Sequence, residues 1–271
     1  MTIAPGLCSI TFRALDADAV LAVAVRAGVE GIEWGADGHV PHGGGAAVEA
    51  LGERCRDAGV EVVSYGSYLG MAPPADDEAA AVEAVLDSAV ALGAPMVRIW
   101  TEFGVTPASP DDDRSRVTER TATLADAIAE RGLMAALEFH PGTLTETAAS
   151  ARLLLGALRR PTVRTHWQPH PSLPTADALS ELALIAPHLA HVHVFSWGPG
   201  GIGERRALAD GVDLWPAALA RAERDGAPLP GRRYALCEYV RGDDPEQLVA
   251  DARVLRGWLE VVDAVGPPRG T

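Results

Sequence analysis

The residues best placed to do chemistry are two glutamates, each ending an apolar run. In residues 132–142, GLMAALEFHPG, the run stops at Glu138, and His140 follows two positions later. In residues 233–241, RYALCEYVR, a similar run ends at Glu238. A carboxylate at the end of a buried strand is costly unless something binds it. Two strands ending alike read as two arms of one site, able to hold a cation or to move a proton.

Bringing such residues together calls for strands that share one rim. Short β-like runs at 7–12, 31–34, 60–64, 96–100, 134–138, 163–167, 191–195 and 234–238 supply them. Helix-period segments at 16–27, 46–58, 76–92, 111–131, 145–158, 177–185, 212–224 and 245–262 alternate with those runs. Gly59 and Gly93 read as helix stops, Thr145 as an N-cap, and Pro245 as a first-turn proline. Eight βα units without a linker predict a single-domain (β/α)8 TIM barrel over residues 1–271, with a frayed tail at 265–271. An open doubly wound sheet would carry a glycine-rich turn after its first strand, and SITFRALDAD has none.

Function in such a barrel sits where strands end. Glu33, Trp34, His39 and His42 lie at or just beyond the end of the second strand, and Arg98, Trp100 and Glu102 at that of the fourth. His166, Gln168 and His170 lie likewise at the end of the sixth, and His193 and Trp197 at that of the seventh. Histidines and carboxylates converging from separate strands are how a barrel makes a divalent-metal site. The competing reading of Glu138 is a carboxylate neutralised by an arginine such as Arg98, and Glu238 has the same alternative. His191 and His193 point to one side of their strand, and His193, nearer the rim, is the better ligand. Gln168 is a weak ligand, for which His166 or His170 could substitute. Trp34 and Trp100 suit either closing the rim or stacking on a sugar ring.

Composition narrows the field. With 37 acidic against 23 basic residues the formal charge is −14, which disfavours nucleic acid and anionic membrane as partners. All 23 basic residues are arginine, so lysine-based Schiff-base, pyridoxal phosphate and Walker-A chemistry are excluded. No apolar run is long enough to span a membrane. The opening MTIAPGLCSI lacks the basic and apolar regions of a secretory signal. Cys8, Cys55 and Cys237 are widely spaced without a CxxC, which points to free thiols and a cytoplasmic protein.

In the order and spacing of GVEGIEW, ALEFHPG, HVHV, GVDLW and YALCEYV, the chain resembles the xylose isomerase-like TIM barrels, the sugar phosphate isomerase/epimerase superfamily, over nearly its whole length. The resemblance implies one divalent metal ion (Mn²⁺, Mg²⁺, Co²⁺ or Zn²⁺) held by Glu138, Gln168, His193 and Glu238. It implies that Glu138 and Glu238 flank the substrate carbon as bases, that His140 contacts substrate, and that the chain self-associates. Gln168 stands where the family has an aspartate, which removes a charge and weakens hard cations. Pro171 stands at the usual histidine, with His170 one place early. No acid follows His193, and Pro199 stands at an arginine of some ketose epimerases, with Arg205 and Arg206 close by.

The expected activity is isomerisation or epimerisation of a sugar or sugar-like α-hydroxy ketone through a metal-bound cis-enediolate. His140, His42, Arg98, Trp34, Trp100 and His170 would orient the small sugar substrate. A metal-dependent dehydratase or lyase shares the first step. A non-catalytic sugar-binding barrel with a degenerate metal site is the non-enzymatic alternative. Endonuclease IV-like cleavage would want histidine where Ser64 and Tyr65 stand.

Overall fold

The computed structural model describes residues 3–170 and 173–265. Residues 266–271 of the expected tail, and Pro171, lie outside the described residues.

Eight parallel strands close into a barrel in the order β1 (Ile3–Cys8), β10 (Arg233–Cys237), β7 (Leu189–Val194), β6 (Val163–Trp167), β5 (Met134–Glu138), β4 (Met96–Ile99), β3 (Glu61–Gly66) and β2 (Gly31–Gly35). Closure comes from β1, whose Leu7 pairs with Ile32 on one side and Cys237 on the other. Eight helices cover the outside: α1 (Ala17–Ala27), α2 (Ala46–Asp57), α3 (Glu78–Leu92), α4 (Asp111–Glu130), α5 (Ala148–Leu158), α6 (Thr175–Ile185), α7 (Trp215–Asp225) and α8 (Pro245–Val265). Among the described residues no helix is long and apolar enough to cross a membrane.

Strand alternation divides the side chains between two environments. Ile32, Trp34, Leu137, Trp167 and Val192 join the apolar faces of the helices in the main core. The barrel interior is narrower, with Ala4, Cys8, Ile10, Val63, Tyr234 and Leu236 forming a small cluster of their own. Gly6 is required there, because a Cβ would come within 2.5 Å of the Leu236 side chain and 3.0 Å of the Gly31 carbonyl oxygen.

Three expectations change. The first strand is not 7–12 but Ile3–Cys8, with a 3-10 turn at Ser9–Phe12. Pro5 and Gly6 look like breakers, yet the Pro5 carbonyl accepts from the Glu30 amide (2.8 Å) and the Ser9 hydroxyl accepts from Gly35 N (2.8 Å). Thr145 is not the N-cap of α5: Thr147 is, in a capping box with Ser150, while the Thr145 hydroxyl donates to the Glu138 carbonyl. The helix expected from 212 begins at Trp215, after a 3-10 turn at Leu208–Gly211. An antiparallel hairpin, β8 (Trp197–Gly198) with β9 (Gly201–Arg205), was not foreseen and follows β7.

Candidate functional site

Six barrel strands aim a polar or ionisable side chain inward near their C-terminal ends: Cys8, Glu33, Arg98, Glu138, His166 and His193. Glu238, immediately after β10, completes the ring, and all seven are buried. Charge runs through it as a chain. Arg98 pairs tightly with Glu138, and its Nη1 lies 3.4 Å from Glu33 Oε1. Glu33 Oε1 lies 3.5 Å from His193 Nε2, and His193 Nδ1 lies 3.3 Å from Glu238 Oε2. His166 Nδ1 approaches the other Glu33 oxygen at 3.1 Å. The two arms expected from the sequence thus face one chamber, joined through Arg98, Glu33 and His193.

Three buried carboxylates share a single arginine in this ring, and ionisation responds to the shortage of positive charge. Burial pushes Glu138 up to about 7 although Arg98 opposes it. Burial works against Glu33 too, but Arg98 and His166 hold it well below the usual carboxylate range. The two differ because Glu33 meets Arg98, His166 and His193 together, whereas Glu138 depends mainly on Arg98. Burial lowers His193, yet Glu238 and Glu33 on either side outweigh it and raise the imidazole to about 10. His166 has less help, and burial leaves it below the ordinary histidine value.

Above the ring lies a cavity of about 240 Å³, bordered by His140, Gln168, His170, Trp197, Ile202 and Tyr239. Gln168 connects the two levels. Its amide nitrogen donates to the Phe139 carbonyl (2.9 Å) and contacts Glu138 Oε1 (3.4 Å), while its buried Oε1 has no hydrogen-bond partner among the described residues. His140 stacks on Trp100 at 4.4 Å and contacts the Pro141 carbonyl through Nδ1 (2.7 Å). Tyr239 takes φ of +51°, which sets its ring against Trp197 at 4.9 Å, with the Arg205 guanidinium 5.3 Å from the ring centre. A second cavity of about 230 Å³, bordered by Arg13, Arg205, Glu238 and Asp243, lies on the other side of Tyr239.

The structure brings some expected residues together and not others. Glu138, Gln168, His193 and Glu238 share the chamber, and His140 and His170 border the cavity above. Arg98 is buried as the counter-ion of Glu138 and Glu33 and does not border the cavity, so it is not placed to orient a substrate. Trp34 faces the helix layer, because its neighbour Glu33 faces the interior. His42 is exposed and bonded to the Tyr65 hydroxyl (2.8 Å), whose ring also belongs to the helix layer. Trp100 backs His140 without bordering the cavity. Glu33 was legible as a third strand ending on a glutamate, in GIEW, but its central place was not. Cys8 carried no signal beyond being a free thiol.

The donor set suits a divalent ion. Gln168 Oε1 is an orphaned buried oxygen, and the ring holds more negative than positive charge, so Glu138, Gln168, His193 and Glu238 can hold a cation without a new counter-charge. Their spacing is looser than a closed site. Among the described residues the trio of His, Cys, Asp or Glu ligand atoms lying within 4.8 Å of one another is Cys8, Glu33 and His193.

A family model described as the xylose isomerase-like TIM barrel matches residues 21–262. No curated protein matches the chain in sequence. Among solved structures, the chain is similar to the probable 3-DHS dehydratase AsbF involved in petrobactin synthesis from Bacillus anthracis (TM-score 0.76, 18% identity, 94% of this chain and 99% of that one). It is also similar to an L-ribulose 3-epimerase (TM-score 0.69, 18% identity, 99% and 100% covered). A third is a xylose isomerase-like TIM barrel protein from Mycobacterium smegmatis in complex with magnesium (TM-score 0.67, 17% identity, 96% and 97% covered). At these identities the likeness is one of fold.

Proposed function

Because this chain belongs to the xylose isomerase-like TIM barrels, we propose that it is an isomerase or epimerase of a small sugar-like α-hydroxy ketone, working with a divalent ion. The observation that carries this reading is the pair of buried carboxylates, Glu138 and Glu238, held in one chamber beneath a cavity. A group that moves a proton works best with a pKa near the working pH, and burial brings Glu138 to about 7. Glu138 takes the proton from the carbon beside the substrate carbonyl. Glu238, on the opposite arm, returns one from the other side, which inverts or relocates the stereocentre. When bound, a divalent ion held by Glu138, Gln168, His193 and Glu238 supplies Lewis acidity toward the substrate oxygens.

The cavity above the chamber supports the substrate class. Trp197 and Tyr239 offer ring faces to the apolar side of a sugar. His140, His170 and Gln168 offer polar edges to its hydroxyls, and the stacking on Trp100 fixes the His140 ring. Among the described residues the lining carries no lysine or arginine, so an uncharged polyol ketone fits it better than a sugar phosphate.

The test is proton exchange in D₂O followed by ¹H NMR over a panel of free ketoses with Mn²⁺, Co²⁺ or Mg²⁺. The expected result is exchange of one C–H next to the carbonyl, falling by at least about 100-fold in Glu138→Gln and in Glu238→Gln. Exchange at the wild-type rate in both variants overturns the assignment of the bases. A product lighter by one water overturns isomerisation in favour of dehydration, which begins with the same proton removal.

A further inference from the structure

Nothing in the proposed isomerisation uses the thiol of Cys8, yet that thiol is placed with more care than packing requires. Register pairs Cys8 with Glu33 across β1 and β2, and both side chains are fully buried in the barrel interior. Cys8 Sγ lies 3.4 Å from Glu33 Oε1, and His193 Nε2 lies 3.5 Å from the same oxygen. The ligand atoms of all three fall within 4.8 Å of one another. A tetrahedral ion with bonds of about 2.0–2.3 Å sets its ligand atoms about 3.3–3.8 Å apart, and the edges of 3.4 and 3.5 Å match.

A second observation points to a ligand. Among the described residues, His193 Nε2 and both nitrogens of His166 are buried without an aligned hydrogen bond, and His166 Nδ1 is 3.1 Å from the remaining Glu33 oxygen. Buried imidazole nitrogens left this way are unusual unless something occupies the space between them. We propose that Cys8, Glu33 and His193 form a thiolate-containing site for a borderline divalent ion such as Zn²⁺ or Co²⁺, on the Nε2 side of His193, with the fourth position left to solvent or substrate.

The position is distinct from the set implied by the family resemblance, which meets His193 from the Nδ1 side, where Glu238 lies. Sulfur, nitrogen and oxygen donors together favour Zn²⁺ or Co²⁺ over Mg²⁺, which demands oxygen and water. As the ion binds, the S–H proton of Cys8 leaves to solvent and a metal–sulfur bond takes its place. Arg98 is close, at 3.4 Å from Glu33 Oε1, but it is shared between Glu33 and Glu138, so the carboxylates of the ring still outnumber it and leave a deficit that a cation fills. This site would hold an ion whether or not the chain is an isomerase.

The experiment is Co²⁺ titration of metal-free protein, read by absorption, with zinc-edge X-ray absorption on the Zn²⁺ form. The expected result is a sulfur-to-cobalt charge-transfer band at one ion per chain. Zinc should show one sulfur neighbour at about 2.3 Å among lighter ones at about 2.0–2.1 Å. Cys8→Ser should abolish the band and weaken Zn²⁺ by more than about 100-fold, beyond what loss of an outer-shell partner costs. Removing Cys55 and Cys237, which lie in the helix-facing core, should leave the band intact. The wild-type zinc spectrum needs no variant to fold, so it decides even if Cys8→Ser is unstable. One Co²⁺ per chain without a charge-transfer band overturns this site and leaves the metal of the proposed reaction in place. A band that survives Cys8→Ser overturns it as well. Failure to bind any divalent ion overturns both this site and the metal in the proposed function.

Discussion

Glu138 is both a neutralised acid and a candidate base, and these two readings turn out to be compatible. Arg98 pairs with it and with Glu33, while burial still lifts its pKa to about 7. The arginine therefore belongs to the scaffold of the chamber. Replacing it with methionine leaves two carboxylates buried without their shared partner, a loss of about 3–5 kcal/mol. Urea denaturation of Arg98→Met should show that drop, and adding Glu138→Gln to the same chain should recover part of it. Gln168 makes the opposite point. Its amide keeps one oxygen free in the chamber while tying its nitrogen to the Phe139 carbonyl, so a neutral residue holds a place where charge was expected.

At the scale of elements, the strands needed little more than alternation and length, while the helices needed particular ends and contacts. Met134–Glu138 and Val163–Trp167 form as their sequences predict: MAALE is a short apolar run and VRTHW is rich in β-branched and aromatic residues, each bounded by turn residues. The start of helix α5 is not legible locally, since three threonines, Thr143, Thr145 and Thr147, compete to cap it. Only the position of the Glu138 carbonyl turns Thr145 away. Packing of α2 on α3 depends on Gly52, where a Cβ would come within 2.4 Å of the Leu92 carbonyl oxygen. Alanine gains about 1 kcal/mol in helix propensity over glycine. Pushing two backbones apart costs about 1–3 kcal/mol, and the clash wins because a backbone oxygen cannot rotate away. Gly52→Ala should therefore lower the urea midpoint, against the usual sign for that substitution in a helix.

For the whole molecule, carboxylates paired with arginine in the fold make stability sensitive to acid. Glu102 accepts two bonds from Arg116, at 2.7 and 3.0 Å, and they hold its carboxyl below the usual range. A carboxyl lowered in the folded state adds stability that is present above its unfolded pKa of about 4.3 and is lost as pH falls through the lower folded value. Glu102→Gln should thus be less stable than wild type at pH 7, and the gap in urea midpoints should close as pH drops below about 4. A gap that stays constant to pH 3 would mean the pair contributes nothing through ionisation. The barrel joins this surface network to the chamber through β4, which carries Arg98 and leads on to Glu102.

By itself the sequence determined the number and kind of units, the barrel they imply, and the glutamates at the strand ends. These follow from periodicity and turn chemistry within a few residues of each position. It also contained the separation of Glu33 from Trp34, since neighbours in a strand must face opposite ways. Tertiary structure alone decided the partners. Cys8, Glu33 and His193 meet because β1 closes the ring between β2 and β10 and β7 pairs with β10. That register is a property of the closed sheet, set by how eight strands stagger around a common axis. No local pattern in a chain can report it, because the contacts that fix it join residues far apart in sequence.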